Sequence, residues 1–194
     1  MLKNNSLRYG AVAMAFHWLI AAAVLFNIWF GGYVHDMTKD DPDRFALVQI
    51  HKSIGLTILV LAFARLIWRL VDPPPPLPAN MPKWERIAAK ASHYLLYGLI
   101  LAIPLTGWAV VSSSPLGLPT MWFGLFEWPH LPFLADLPRA DKAVIRPQIF
   151  EVHSILATVL LYVFAVHVFA ALKHQFWDHD AVLKRMLPGT KVDS

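Results

Sequence analysis

The sequence predicts an all-α integral membrane protein, a four-helix bundle forming one domain over residues 1–194. Three observations lead there. Of the 194 residues, 57% are hydrophobic and only 15% are charged, whereas soluble domains carry about 45–50% apolar and about 25% charged residues. The mean hydropathy is +0.48. Four stretches reach the roughly 20 mostly apolar residues that a spanning helix needs, and polar or proline-rich segments separate them.

The first stretch, residues 11–34, is longer than the apolar region of a signal peptide. It carries His17 and Trp18, and no small-residue cleavage site follows. It reads as the first span. Residues 35–46 make a short acidic loop. The second span, residues 47–71, is mostly apolar and has His51, Lys52, Arg65 and Arg69 as its ionisable residues, and the run Pro73 to Pro76 ends it. Residues 84–91 suit a short interfacial helix ahead of the third span, residues 93–111. Pro104 inside that span is tolerable because neighbouring helices re-satisfy the freed backbone groups. Residues 112–148 combine Pro115, Pro119, Pro129, Pro132, Pro138 and Pro147 with aromatics, which suggests a structured cap on the outer membrane surface. The fourth span covers residues 149–172, and the chain continues through His174 and Trp177 into a basic tail.

Charge asymmetry orients the spans. Eleven cations (Lys3, Arg8, Arg65, Arg69, Lys83, Arg86, Lys90, Lys173, Lys184, Arg185 and Lys191) fall on the side of the termini. Six (Lys39, Arg44, Lys52, Arg139, Lys142 and Arg146) fall on the other. The positive-inside rule then places both termini in the cytoplasm. Trp29, Trp122 and Trp128 would lie near the outer interface, and Trp68 and Trp177 near the inner one. The net charge of +4 is modest and unevenly placed, so it is no sign of nucleic-acid binding.

The chain has no cysteine. That excludes disulfides, iron–sulfur clusters, thiolate chemistry and covalent c-type haem. Any metal must be held by nitrogen or oxygen, and nine histidines are available. Five lie in spans, where ionisable residues are functional candidates by default. Alternating topology sorts them by depth, with His51 and His153 toward the outer side and His17, His93 and His167 toward the inner side. His153 and His167 are fourteen residues apart, about 21 Å along a helix and within about 40° of the same face. One helix thus offers a ligand to each of two layers. His51 completes the outer layer, and His17 or His93 the inner one. Paired histidines on facing helices of a bundle suit bis-histidine ligation of two b-type haems. A divalent-cation transporter would want carboxylates, and Glu151 is the one acid near these layers; no H-E-x-x-H supports a zinc protease. Arg65 lies fourteen residues after His51, on the same face at the inner depth, where it could pair with haem propionates. His174, seven residues beyond His167, could bond a quinone carbonyl or a propionate, with Trp177 beside it at the interface. His35, His130 and His179 fall in loops and are expected to be solvent-exposed.

These residues resemble the bacterial cytochrome b561 family. The matching motifs are His17-Trp18, Gln49-Ile50-His51 and the run from Leu59 through Arg65 to Leu66. Ser92-His93-Tyr94-Leu95, Ala102-Ile103-Pro104, Glu151-Val152-His153, Val166-His167 and Leu172-Lys173-His174-Gln175-Phe176-Trp177 continue the match in order. The resemblance covers about residue 6 to Pro188. It implies a bacterial inner-membrane cytochrome with two non-covalent haems b, ligated by His17 with His167 and by His51 with His153, and it leaves His93 a non-ligand. The family includes a superoxide oxidase that passes electrons from superoxide at the outer face to ubiquinone. On that reading Lys52, Arg139, Lys142 and Arg146 would attract the anionic substrate. The rival reading is a non-enzymatic relay, a cytochrome b subunit that anchors a partner dehydrogenase or hydrogenase through the outer cap.

Overall fold

The computed structural model describes residues 1–78 and 80–190; Lys191 of the tail lies outside them. Four long helices carry the fold: α1 (Ala11–Asp36), α2 (Arg44–Val71), α3 (Lys83–Ser112) and α5 (Arg139–Phe176). Between α3 and α5 lie a short antiparallel hairpin, β1 (Met121–Trp122) with β2 (Phe126–Glu127), and a single turn of helix, α4 (Pro132–Ala135). Each long helix is apolar and long enough to cross a membrane, and many large apolar side chains, such as Trp29, Tyr162 and Phe169, face outward. In water that would be untenable; against lipid it is the expected surface.

The spans alternate in direction, so the termini gather at one end of the bundle and the hairpin lies at the other. At the termini end the Asn4 backbone N–H donates to Asp72 Oδ2 at 2.9 Å, Trp18 Nε1 donates to the Met186 carbonyl at 2.9 Å, and Arg185 donates to the Pro76 carbonyl at 2.7 Å. The tail therefore folds back over the start of α1 and the end of α2.

Two helices begin earlier than the sequence suggests. The separate interfacial helix expected at residues 84–91 is the first part of α3, because Pro82 starts the helix and no proline or glycine interrupts it before Gly98. Likewise α5 begins at Arg139 and runs through Pro147, so part of the expected outer cap is helix. Pro147 forfeits one backbone hydrogen bond without ending the helix. At Pro73 to Pro76 the expectation and the structure agree: α2 stops at Val71.

Packing is uneven. α1 lies along α2, α3 along α5, and α2 meets α3, but α5 makes no comparable backbone approach to α1 or α2. The apolar core of Ile20, Val24, Ile58, Ala62, Leu99, Ile100 and Leu160 draws on all four long helices. Leu160 is seven residues from both His153 and His167, so this core sits midway between the two histidine depths. It is also the one residue of α5 that is fully buried among those described. Leu156 and Val163 of that helix pack against the same core, whereas Tyr162 and Phe169 face outward.

The hairpin is anchored to α2 by polar contacts that are remote in sequence. Gln49 Nε2 donates to the Pro119 carbonyl at 2.9 Å, and Gln49 Oε1 accepts from the Met121 N–H at 3.2 Å. The buried Ser53 hydroxyl accepts from the Phe123 N–H at 2.9 Å, and Trp122 Nε1 donates to Thr57 Oγ1 at 3.1 Å. Phe123 and Gly124 take positive φ at the turn, which glycine adopts at no steric cost.

Candidate functional site

The five histidines expected inside the bundle collect into two layers. At the hairpin end His51 of α2 faces His153 of α5, with ring centroids 6.5 Å apart. At the termini end His17 of α1 lies 6.2 Å from His167 of α5, and His93 of α3 lies 5.6 Å from the same ring. An imidazole nitrogen binds a metal at about 2.0 Å. Two rings on opposite sides of one ion thus have their nitrogens about 4 Å apart and their centres farther by the width of the rings, which suits these separations.

At the hairpin end each ring is backed by a glycine of the neighbouring helix. A Cβ added at Gly31 of α1 would lie 2.6 Å from His51 Cε1, and one added at Gly107 of α3 would lie 3.1 Å from His153 Cε1. These positions need glycine for close approach rather than for backbone freedom. The His153 ring is further fixed by α3. Its Nδ1 is 3.0 Å from the Ile103 carbonyl and 3.1 Å from Thr106 Oγ1. A carbonyl can only accept, so Nδ1 carries the proton and Nε2 keeps a free lone pair, the form a metal-ligating histidine takes. The His51 ring faces the Asn27 backbone carbonyl, but its Nδ1 is buried without a well-formed hydrogen bond, as is Nδ1 of His17.

A cavity of about 730 Å³ opens between these two histidines and runs to the hairpin end. Arg44, Lys52 and Arg146 line it with no aspartate or glutamate among its walls. Asn27, 8% exposed, also faces it, and its Oδ1 has no partner among the described residues.

Of the four cations expected to guide an anion, Lys52 and Arg146 line the cavity. Lys52 Nζ is already tied to Thr120 Oγ1 at 3.2 Å and to the Pro119 carbonyl at 3.5 Å. Arg139 and Lys142 lie outside the cavity walls, and Lys142 donates to the Ala135 carbonyl. His130, expected to be solvent-exposed, is half-buried with Nε2 3.4 Å from Thr120 Oγ1. Burial first, and then the Lys52 charge, lower its pKa below the ordinary value. His35 and His179 are exposed as expected, and His35 stacks on Phe150 at 5.6 Å.

At the termini end Arg65 Nε donates to the Tyr97 hydroxyl at 3.1 Å, and the guanidinium groups of Arg65 and Arg69 both sit 5.4 Å from the Tyr97 ring centre. Tyr9 joins them around a water-sized space of about 20 Å³, with the unpartnered Trp68 Nε1 alongside. Burial raises the Tyr9 phenol pKa from 10.0, against the opposing charges of Arg69 and Arg65. His174 bonds Asp180 at 2.7 Å and Asp178 at 3.1 Å. Lys173 bridges Glu85 at 2.8 Å and Asp178 at 2.7 Å, so these acids already have a cation. Trp177 is 82% exposed and makes no ring contact with His174 among the described residues. His174 is thus engaged by two acids, while Trp177 stands exposed at the end of the helix.

Sequence comparison decides the family. The profile of prokaryotic cytochrome b561 matches residues 8–189. The chain belongs to that family. Among similar proteins, Cytochrome b561 homolog 2 of Escherichia coli (strain K12) is 36% identical over 192 residues, covering 98% of this chain and 96% of its own length. Cytochrome b561 homolog 1 of the same organism is 28% identical over 196 residues, covering 95% and 99%. Probable superoxide oxidase CybB of Yersinia pestis is 26% identical over 183 residues, covering 93% and 96%.

As a cytochrome b561 family member the chain is a multi-pass bacterial membrane protein of electron transfer, and the family implies haem b. The residues fit that group. Facing imidazoles, the free lone pair left on His153, the glycines behind both rings and the cavity between them form a cradle suited to a planar ligand. Sequence reasoning missed Gly31, Gly107, Asn27 and Thr106. It counted Arg44 only as an outer cation, although a signal was present: Arg44 precedes His51 by seven residues, two helical turns on the same face.

Proposed function

We propose that this cytochrome carries electrons across the bilayer on two haems b, oxidising superoxide at the hairpin face and reducing ubiquinone. His51 with His153 holds one haem, and His17 with His167 holds the other. The hairpin face is periplasmic, both termini are cytoplasmic, and the membrane is the bacterial inner membrane. The observation that carries this reading is the pair of facing histidine layers set fourteen residues apart on α5.

When bound, haem supplies one-electron redox chemistry and storage. Two superoxide anions each give up one electron and leave as dioxygen; one ubiquinone takes both electrons with two protons. The chain's residues supply position and field. Lys52 and Arg146, with Arg44 beside them, put three positive charges at the cavity mouth, one more than the two carboxylates of a haem, and that surplus raises encounter rates with an anion in a salt-dependent manner. The apolar core around Leu160 lies between the layers. Arg65 stands beside the termini-end layer as a partner for haem propionate, and His174, joined to Asp178 and Asp180, is the residue assigned to the quinone. Arg139 and Lys142 add only distant charge. The likeness to a probable superoxide oxidase supports the choice of substrate.

A second reading is a relay subunit that receives electrons from a protein partner through the hairpin cap. It is favoured by the exposed Leu125 and Phe133 on that cap. Stopped-flow mixing of the purified protein with superoxide separates the two. Rapid haem reduction that slows as salt is added, followed by ubiquinol formation, supports the oxidase. Sluggish, salt-insensitive reduction of a fully haem-loaded protein contradicts it and leaves the relay.

A further inference from the structure

Among the described residues, two arginines at the mouth of the larger cavity lack partners of their own. Arg44 follows Asp40, Asp41 and Asp43 in sequence, yet its guanidinium pairs with none of them. Its Nε is buried without a hydrogen bond. Among the described residues nothing pairs with the Arg146 side chain either. Arginine stays charged in any protein environment, so a cavity that exposes two of them and no carboxylate is built for anionic oxygens.

Their placement specifies which anion. Arg44 precedes His51 by seven residues on α2, and Arg146 precedes His153 by seven residues on α5. Both helices run away from the hairpin end. Each arginine therefore lies about 10 Å nearer that end than the histidine of its own helix, and within about 20° of the same face. The arginine pair repeats the histidine pair one level up, on the same two helices and across the same cavity. Lys52 is different, because its ammonium is engaged by Thr120 and Pro119 and holds the hairpin in place.

We propose that Arg44 and Arg146 form a carboxylate clamp for the two propionates of the haem held by His51 and His153. This rests on the reading of those histidines as ligands. A guanidinium meets a carboxylate with two parallel hydrogen bonds, which gives direction as well as attraction. Such a clamp would hold the bound haem in one orientation, and its positive charge would favour the reduced form.

The test uses the haem-loaded protein with Arg44→Gln, Arg146→Gln, the double variant and the charge-preserving Arg44→Lys. Three quantities are read: the resonance Raman propionate bending band, the midpoint potential of the hairpin-end haem, and the rate of haem transfer to an acceptor globin. The expected result is a shifted propionate band, a lower potential and haem loss faster by about tenfold or more in the double variant. Arg44→Lys should recover the potential but not the band. If the double variant does not accumulate, Arg44→Lys alone decides by its band. Unchanged band, potential and transfer rate overturn the clamp. That includes the outcome in which only reduction by superoxide slows, which would assign the arginines to a free small anion. A His153→Ala protein that keeps its hairpin-end haem overturns the ligand reading instead, so the two failures are distinguishable.

Discussion

At the hairpin end two histidines face one another across a cavity of about 730 Å³, each ring resting on a glycine and one held by a backbone carbonyl. At the termini end three histidines share a layer, with His167 within 6.2 Å of both His17 and His93, and the neighbouring space of about 20 Å³ lies beside Arg65. The first layer has one way to pair its ligands; the second has two. The difference lies in the supporting residues. Glycines and hydrogen bonds specify a single geometry at His51 and His153, whereas the choice between His17 and His93 depends on where the macrocycle seats.

The sharpest way to break this comparison is to delete ligands. His153→Ala and His51→Ala should each remove one haem of two, read as haem content by pyridine haemochrome, because among the described residues no third histidine ring contacts this pair; His35, in the same cavity wall, stacks on Phe150. His167→Ala should likewise remove the other haem, since it is shared by both pairings at the termini end. His17→Ala should also lose that haem and His93→Ala should keep it; the opposite pattern would make His93 the ligand.

The next effect is steric. Gly31→Ala puts a methyl group 2.6 Å from His51 Cε1, so something must move, at a typical overpacking cost of about 1–3 kcal/mol. Occupancy of the hairpin-end haem should fall while the termini-end haem stays. Gly107→Ala, with its closest approach at 3.1 Å, should do less, and Gly32→Ala, where nothing lies within 4 Å, should leave both haems in place. Equal behaviour of Gly31→Ala and Gly32→Ala would contradict the cradle.

A smaller effect is expected from Thr106→Val. It removes one of two hydrogen-bond partners of His153 Nδ1 and leaves the Ile103 carbonyl. Loss of supporting contacts to a metal ligand typically costs about 10–100-fold in affinity, and the remaining carbonyl should hold this case to the low end. Haem-transfer kinetics would measure it. No change would mean that the carbonyl alone fixes the ring.

Much of this was legible in the sequence because it is periodic. The spans follow from runs of apolar residues, and the spacing of fourteen between His153 and His167 translates directly into two depths on one face. The spacing of seven between Arg44 and His51, and again between Arg146 and His153, was legible in the same way. What periodicity does not carry is proximity between helices. Nothing local marks Gly31 as the neighbour of His51 rather than Gly32, and nothing in Gln49 or Ser53 announces a hairpin some seventy residues away. Helix starts were also misjudged at α3 and α5. Interfacial helix and span merge when no breaker separates them, and proline near the start of a long helix does not stop it. Nor does periodicity reach past a helix end: His174 repeats the face of His167, but the helix ends at Phe176, and Trp177 beyond it is exposed.

The central claim is that each layer holds its own haem. It is tested most directly by haem stoichiometry on the detergent-purified chain, by pyridine haemochrome with a redox difference spectrum, in parallel with His153→Ala. The account expects two non-covalent haems b per chain, falling to one in the variant. One haem per chain, or two that persist without His153, would contradict it.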